Sequence, residues 1–180
     1  MTLFIATLQV GIILIALGLF QLLKPSETKS VAIGMLRSKG AAVVFLSLAT
    51  AWFLWKVLHL GEPDFGNHKM KLFWVFLIVT TASHFYVPDF LSVRGLAALL
   101  LLYSDALLDA AYMEALMSRL FLVSFVYLVI VICMYLGALP YRLRDFFSWF
   151  YKNPWWPRLF SIGFIAYGVL LCVIAASYII

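Results

Sequence analysis

The sequence predicts an all-α protein, a polytopic transmembrane helical bundle of about six spans with two interfacial basic linkers. Three observations carry this expectation. Of 180 residues, 66% are hydrophobic and 12% charged, and the mean hydropathy is +1.06, which is more apolar surface than a soluble domain of this length can bury. The apolar residues gather into runs of about 20, the length that crosses a hydrocarbon core of about 30 Å as a helix. Breaks rich in proline, glycine and charge separate the runs and leave no stretch for a soluble catalytic domain. Residues 1–180 therefore read as a single transmembrane domain.

The first span is expected over residues 2–23. It lacks a basic n-region and an Ala-x-Ala site, so it reads as a retained helix and not as a cleaved signal. Lys24 and Pro25 stop it, and 25–39 reads as an interfacial linker carrying Lys29, Arg37 and Lys39. The second span, 40–60, ends with Trp52, Trp55 and Lys56, residue types suited to the headgroup level. A loop with Glu62, Pro63, Asp64 and Gly66 follows. The third run, 72–87, is short, and its second half carries Thr80, Thr81, Ser83 and His84, so a thinned, tilted or partly re-entrant element is expected.

Pro88 breaks that run, Asp89 is a candidate N-cap, and 90–109 forms the fourth span. A helical connector is expected over 110–118 and the fifth span over 120–139. After Pro140, Leu143, Phe146, Phe147 and Phe150 fall at helical spacing while Arg144, Ser148 and Lys152 share another face. That pattern predicts a helix lying in the membrane plane over 141–152. Residues 153–158 read as an aromatic, basic turn, and 159–178 as the last span. The order span, proline, basic segment, span thus occurs twice, around Pro25 and around Pro140, either by duplication or by repeated use of one device.

Charge orients the bundle. The two proline-led segments hold Lys24, Lys29, Arg37, Lys39, Arg142, Arg144, Lys152 and Arg158, whereas Lys69, Lys71 and Arg119 are offset by Glu62, Asp64, Asp109 and Glu114. The positive-inside rule puts the first set in the cytoplasm, and an even number of intervening spans is then required. Six spans with both termini outside the cytoplasm satisfy it. The net charge of +5 sits beside apolar runs, which fits anionic phospholipid and excludes nucleic acid as a partner.

Four groups could carry chemistry. His84, Asp89 and Arg94 surround the break between the third and fourth spans, where intramembrane charge marks function by default; the alternative is a structural Asp89–Arg94 pair. Asp105 and Asp109, beside Tyr103 and Ser104, share a helical face and could bind a cation or take up protons, or else pair with Lys56 or His59. These five, His84, Asp89, Arg94, Asp105 and Asp109, form the candidate polar intramembrane cluster. Glu62, Asp64, His59 and His68 include metal-ligand types but no metal-site spacing, so no metal is expected. Arg142, Arg144, Lys152 and Arg158 are candidate contacts to lipid phosphate. Cys133 and Cys172 lie in apolar runs with no CxxC spacing and read as packing residues. Gly11 and Gly18 on the first span, and Gly163 and Gly168 on the last, permit close helix approach.

From Leu139 onward, Pro140, Arg142, Arg144, Asn153, Pro154 and Arg158 followed by Gly163 and Gly168 resemble the small bacterial inner-membrane proteins called YjeT-like. The resemblance covers under a quarter of the chain and implies a bacterial inner-membrane location; that family's activity is unknown, so it implies nothing chemical. There is no P-loop, GxSxG or HExxH motif, and no cofactor is expected. The expected function is that of a non-enzymatic accessory, scaffolding or lipid-interacting membrane component, whose partners are anionic phospholipid and other membrane proteins or further copies of itself. The alternative is a small transporter or proton-coupled permease built on the polar third and fourth spans.

Overall fold

A computed structural model describes residues 1–61, 66–86 and 90–178, the side chains of His84 and Phe85 excepted. Among these residues the elements are α1 (Leu3–Leu23), α2 (Pro25–Leu36), α3 (Lys39–Leu58), a single 3-10 turn (Gly66–His68), α4 (Lys69–Tyr86), α5 (Leu91–Ala111), α6 (Arg119–Ala138), α7 (Tyr141–Phe150) and α8 (Trp155–Ala176). Five of them, α1, α3, α5, α6 and α8, are long and apolar enough to cross a membrane. The protein is an integral membrane helical bundle, and α4, at 18 residues, supplies a shorter sixth helix.

Local chemistry sets the helix ends. The Thr2 hydroxyl accepts from the Ile5 N–H at 3.4 Å, and the Ser38 hydroxyl accepts from Ala41 N–H at 3.2 Å, each relieving an orphan donor. At the end of α1 the Lys24 N–H donates to Phe20 O, and Pro25, with its φ already helical, opens α2 at once. Pro140 and Pro154 stand at the N-caps of α7 and α8. Phe90 enters α5 from the left-handed region at φ 54°, a conformation a bulky residue adopts only where its surroundings hold it. Its ring lies under the Arg37 guanidinium, 5.8 Å away.

Several boundaries differ from those the sequence suggests. Most of the expected linker 25–39 is the helix α2. The third run is a continuous helix that begins at Lys69, three residues before the expected start, since Lys69 and Lys71 at its end can extend their ammonium groups to water. No helix continues beyond Ala111 into the expected connector 110–118; Met113 takes φ 56° and breaks it. Trp155 to Arg158 is not a turn but the first turn of α8, where Pro157 is tolerated because N–H groups there lack intrahelical partners. Asp89 and residues 62–65 lie outside the described set.

α1 and α8 make the most extensive helix pair. They run antiparallel, since Gly11 faces Gly168 and Cys172 while Gly18 faces Ser161 and Ile165. The backbones nearly touch: a Cβ on Gly11 would stand 2.9 Å from Gly168 O, and one on Gly168 would stand 2.7 Å from Gly11 O. The buried hydroxyls of Thr7 and Ser161 in these helices donate to Leu3 O and Pro157 O, so neither is left unpaired in the apolar surroundings. Gly163, by contrast, faces open space.

α3 and α5 run parallel, with Gly95 against Leu46 and Asp105 against Lys56 at the same interval along both helices. α5 and α6 pair, and Arg119 closes their connection by donating to Ala111 O at 2.9 Å. Leu3, Ala6, Val10, Leu107, Ala110, Leu122, Val126 and Leu171 form the core where α1, α5, α6 and α8 meet. All of them except Val10, Val126 and Leu171 lie near the helix ends remote from α2 and α7. α1 and α8 stay in contact toward the end bearing α2 and α7, where Gly18 meets Ser161, while the core they share with α5 and α6 lies mainly toward the loop end; α2 and α7 also pack against each other. α4 rests on α3.

Replacing Gly11 or Gly168 by valine should lower stability by about 1–3 kcal/mol, since the new methyls meet backbone that cannot yield. Gly163→Val should stay within about 0.5 kcal/mol of wild type. Thermal unfolding in detergent, followed by helical circular dichroism, measures both; equal losses at Gly163 and Gly168 would contradict the seam.

Candidate functional site

Among the described side chains of the expected polar cluster, Arg94, Asp105 and Asp109 are spread along α5. Arg94 stands on the first turn of α5, while Asp105 lies about 16 Å further along the same helix and Asp109 one turn beyond it. His84 occupies the last turn of α4, which packs on α3. Thr80, Thr81 and Ser83 donate to the carbonyls of Phe76, Leu77 and Val79, four residues back in each case. That habit satisfies hydroxyls within an apolar helix without any cavity. With Ser47 and Thr50 of α3, Thr80 and Thr81 border a wide groove between α3 and α4, open on one side.

Asp105 takes the structural alternative, as the acceptor of an ion pair with Lys56 across α3 and α5. His59 does not join it; its Nδ1 lies 2.8 Å from Trp55 O and its ring packs on the Trp55 indole. Asp109 is exposed. Tyr103 turns away from both aspartates and donates to Gln9 Oε1 of α1 at 3.4 Å. This half of the cluster ties helices together at the loop end.

The chemically richer arrangement is at the opposite end. There the α1–α2 and α7–α8 junctions, distant in sequence, enclose a cavity of about 290 Å³ lined by Gln21, Ser26, Lys29, Tyr151, Pro157 and Arg158 among others. Of the four residues expected to contact lipid phosphate, Arg158 borders this cavity. Arg142 lies over the Tyr141 ring at 5.6 Å, Arg144 pairs with its neighbour Asp145 at 3.0 Å, and Lys152 is exposed. Lys29 stands 6.0 Å from the centre of the Tyr151 ring. Burial pushes the Tyr151 phenol above its usual pKa, so it remains a hydrogen-bond donor across the ordinary pH range.

Between the α1–α8 pair and α5 with α6 lies an apolar cleft of about 540 Å³ bordered by Val10, Leu14, Leu17, Leu100, Val126 and Phe164 among others. Gln21 and Tyr151 were not among the residues the sequence pointed to, and Lys29 stood out only as a cation of the first basic linker. A polar residue on the same helical stripe as Val10, Leu14 and Leu17 was the available signal for Gln21. Pairing α1 with α8 was needed to give it meaning.

The Lys56–Asp105 pair is partly exposed, so a double-mutant cycle with Lys56→Ala and Asp105→Ala should give a coupling of no more than about 1 kcal/mol, decreasing with added salt. A coupling several times larger would mark a desolvated pair with a further role. The chain has no match among family models, curated proteins or solved structures.

Proposed function

We propose that this chain is a non-enzymatic, lipid-interacting component of a bacterial inner membrane, an accessory or scaffolding protein whose basic end engages anionic phospholipid. The observation that carries the reading is the packing of α2 against α7 at one end of the bundle. It gathers Lys29, Arg37, Lys39, Arg142, Arg144, Lys152 and Arg158, all exposed. Glu27 and Asp145, the acidic residues of α2 and α7, are each tied to a neighbouring cation. Phe146 and Trp149 project outward from α7, while Phe150 turns in against Phe160 of α8. Such a helix suits the headgroup boundary, with rings toward acyl chains and cations toward phosphates. In this reading the basic end is cytoplasmic, and six crossings leave both termini outside. Among the described residues α4 packs on α3.

Trp149, Trp155 and Trp156 lie beside the basic surface and report on the lipids around it. In proteoliposomes, brominated phosphatidylglycerol should quench tryptophan fluorescence more than brominated phosphatidylcholine at equal mole fraction. Arg142→Gln, Arg144→Gln and Lys152→Gln together should remove most of that preference, at about 1 kcal/mol per charge at low salt, and added salt should reduce it in the wild type. Equal quenching by the two lipids in the wild type would defeat the proposal, as would solute flux above that of empty liposomes.

A further inference from the structure

The apolar cleft and the basic cavity lie along the same faces of the same two helices. On α1 the stripe Val10, Leu14 and Leu17, which borders the cleft, continues one turn on to Gln21, about 6 Å away, which borders the cavity. On α8 Phe164 borders the cleft and Pro157 the cavity. Between them a ladder of rings runs from Phe164 to Phe160 at 6.4 Å, from Phe160 to Phe150 at 5.2 Å, and from Phe150 to Tyr151 at 5.1 Å. An apolar slot and a cationic socket thus lie in line along one stripe of each helix.

The socket suits a phosphodiester. Lys29 and Arg158 bring two positive charges to its rim, and no carboxylate among the described residues borders it. The carboxamide nitrogen of Gln21 is buried without a hydrogen-bond partner, a donor awaiting an acceptor. Tyr151 and Ser26 add hydroxyl donors. The first turn of α8 also opens here, with no acidic residue to compete for its positive end. At about 290 Å³ the socket is at the low end of ligand pockets, which run from about 300 to 1,000 Å³, so it accommodates a headgroup while the acyl chain must lie elsewhere.

We propose that socket and cleft together bind one anionic phospholipid, its phosphate held by Lys29, Arg158, Gln21 and Tyr151 and one acyl chain lying in the cleft along α1 and α8. This rests on the lipid-interacting reading above and narrows it from a basic surface to a single built site. A free phosphate would satisfy the socket alone and leave the cleft empty, and that difference separates the two sources of the anion.

The test is native mass spectrometry of the full chain released from neutral detergent micelles, titrated with phosphatidylglycerol, phosphatidylcholine or glycerol phosphate. The wild type should retain one phosphatidylglycerol per chain in preference to phosphatidylcholine. Lys29→Gln with Arg158→Gln should weaken that binding at least about tenfold, as expected for loss of charged hydrogen bonds, while the Arg142, Arg144 and Lys152 glutamine variant keeps it. Leu100→Trp, which fills the cleft, should weaken the lipid and leave glycerol phosphate unaffected; Leu17→Trp serves in its place if the first variant loses its helical signal. Undiminished lipid binding in the Lys29 and Arg158 double variant would overturn the proposal. So would lipid binding unaffected by the cleft variants, or glycerol phosphate binding as tightly as the lipid. A quenching preference that persists while the stoichiometric lipid is unaffected by the Lys29 and Arg158 changes would remove this site and leave the broader reading standing.

Discussion

Inside a bilayer, an apolar side chain gains little by exchanging a lipid neighbour for a protein one, so helices cohere through close packing and satisfied polar groups. In this protein that constraint is met where α1 and α8 bring backbone against backbone. Glycines at 11, 18 and 168 remove the side chains that would hold the helices apart, and Thr7 and Ser161 bond within their own helices instead of crossing the seam. Gly95 plays the same part on a smaller scale between α3 and α5. The rest of the bundle is arranged around these two contacts, α5 and α6 against the first pair and α4 against the second.

Close packing within the α1–α8 pair determines what happens beside it. The pair meets α5 and α6 mainly toward the loop end, and an apolar cleft is left between them. Proline contributes by forcing the chain to turn where it does. Because Pro25 and Pro154 begin new helices and do not continue old ones, α2 and α8 start beside the same cavity. The cationic groups are then concentrated by topology, since neither junction alone has more than part of the set.

How much of this was legible depended on the range of the interaction. Apolar run length gave the spans, and the Leu143, Phe146, Phe147 and Phe150 spacing gave α7, because both are local periodicities. The ends were harder. Lys69 and Lys71 read as loop but belong to α4, since a long ammonium side chain can leave the apolar region while its backbone stays helical. Residues 153–158 read as a turn, but Pro157 sits in the first turn of α8, where a helix needs no N–H from it. Among the site residues, Asp105 with Lys56 was one of two pairings visible from charge and position. Nothing local distinguished Gly168, which meets α1, from Gly163, which meets nothing, or linked Gln21 and Lys29 to Tyr151 and Arg158. Those relations exist only after distant segments have met.

The same geometry bears on how the protein is made. α1 enters the membrane with its glycine face exposed and must wait for α8, roughly 130 residues later in the chain. During that interval the backbone groove of α1 is open to whatever lies beside it, including the glycine face of another nascent copy. α3, α5 and α6 can associate with their neighbours as they emerge, but the bundle cannot lock until α8 arrives. Insertion and assembly are thus separate stages for this chain, and a delay or defect near its last helix would be felt first at its first one.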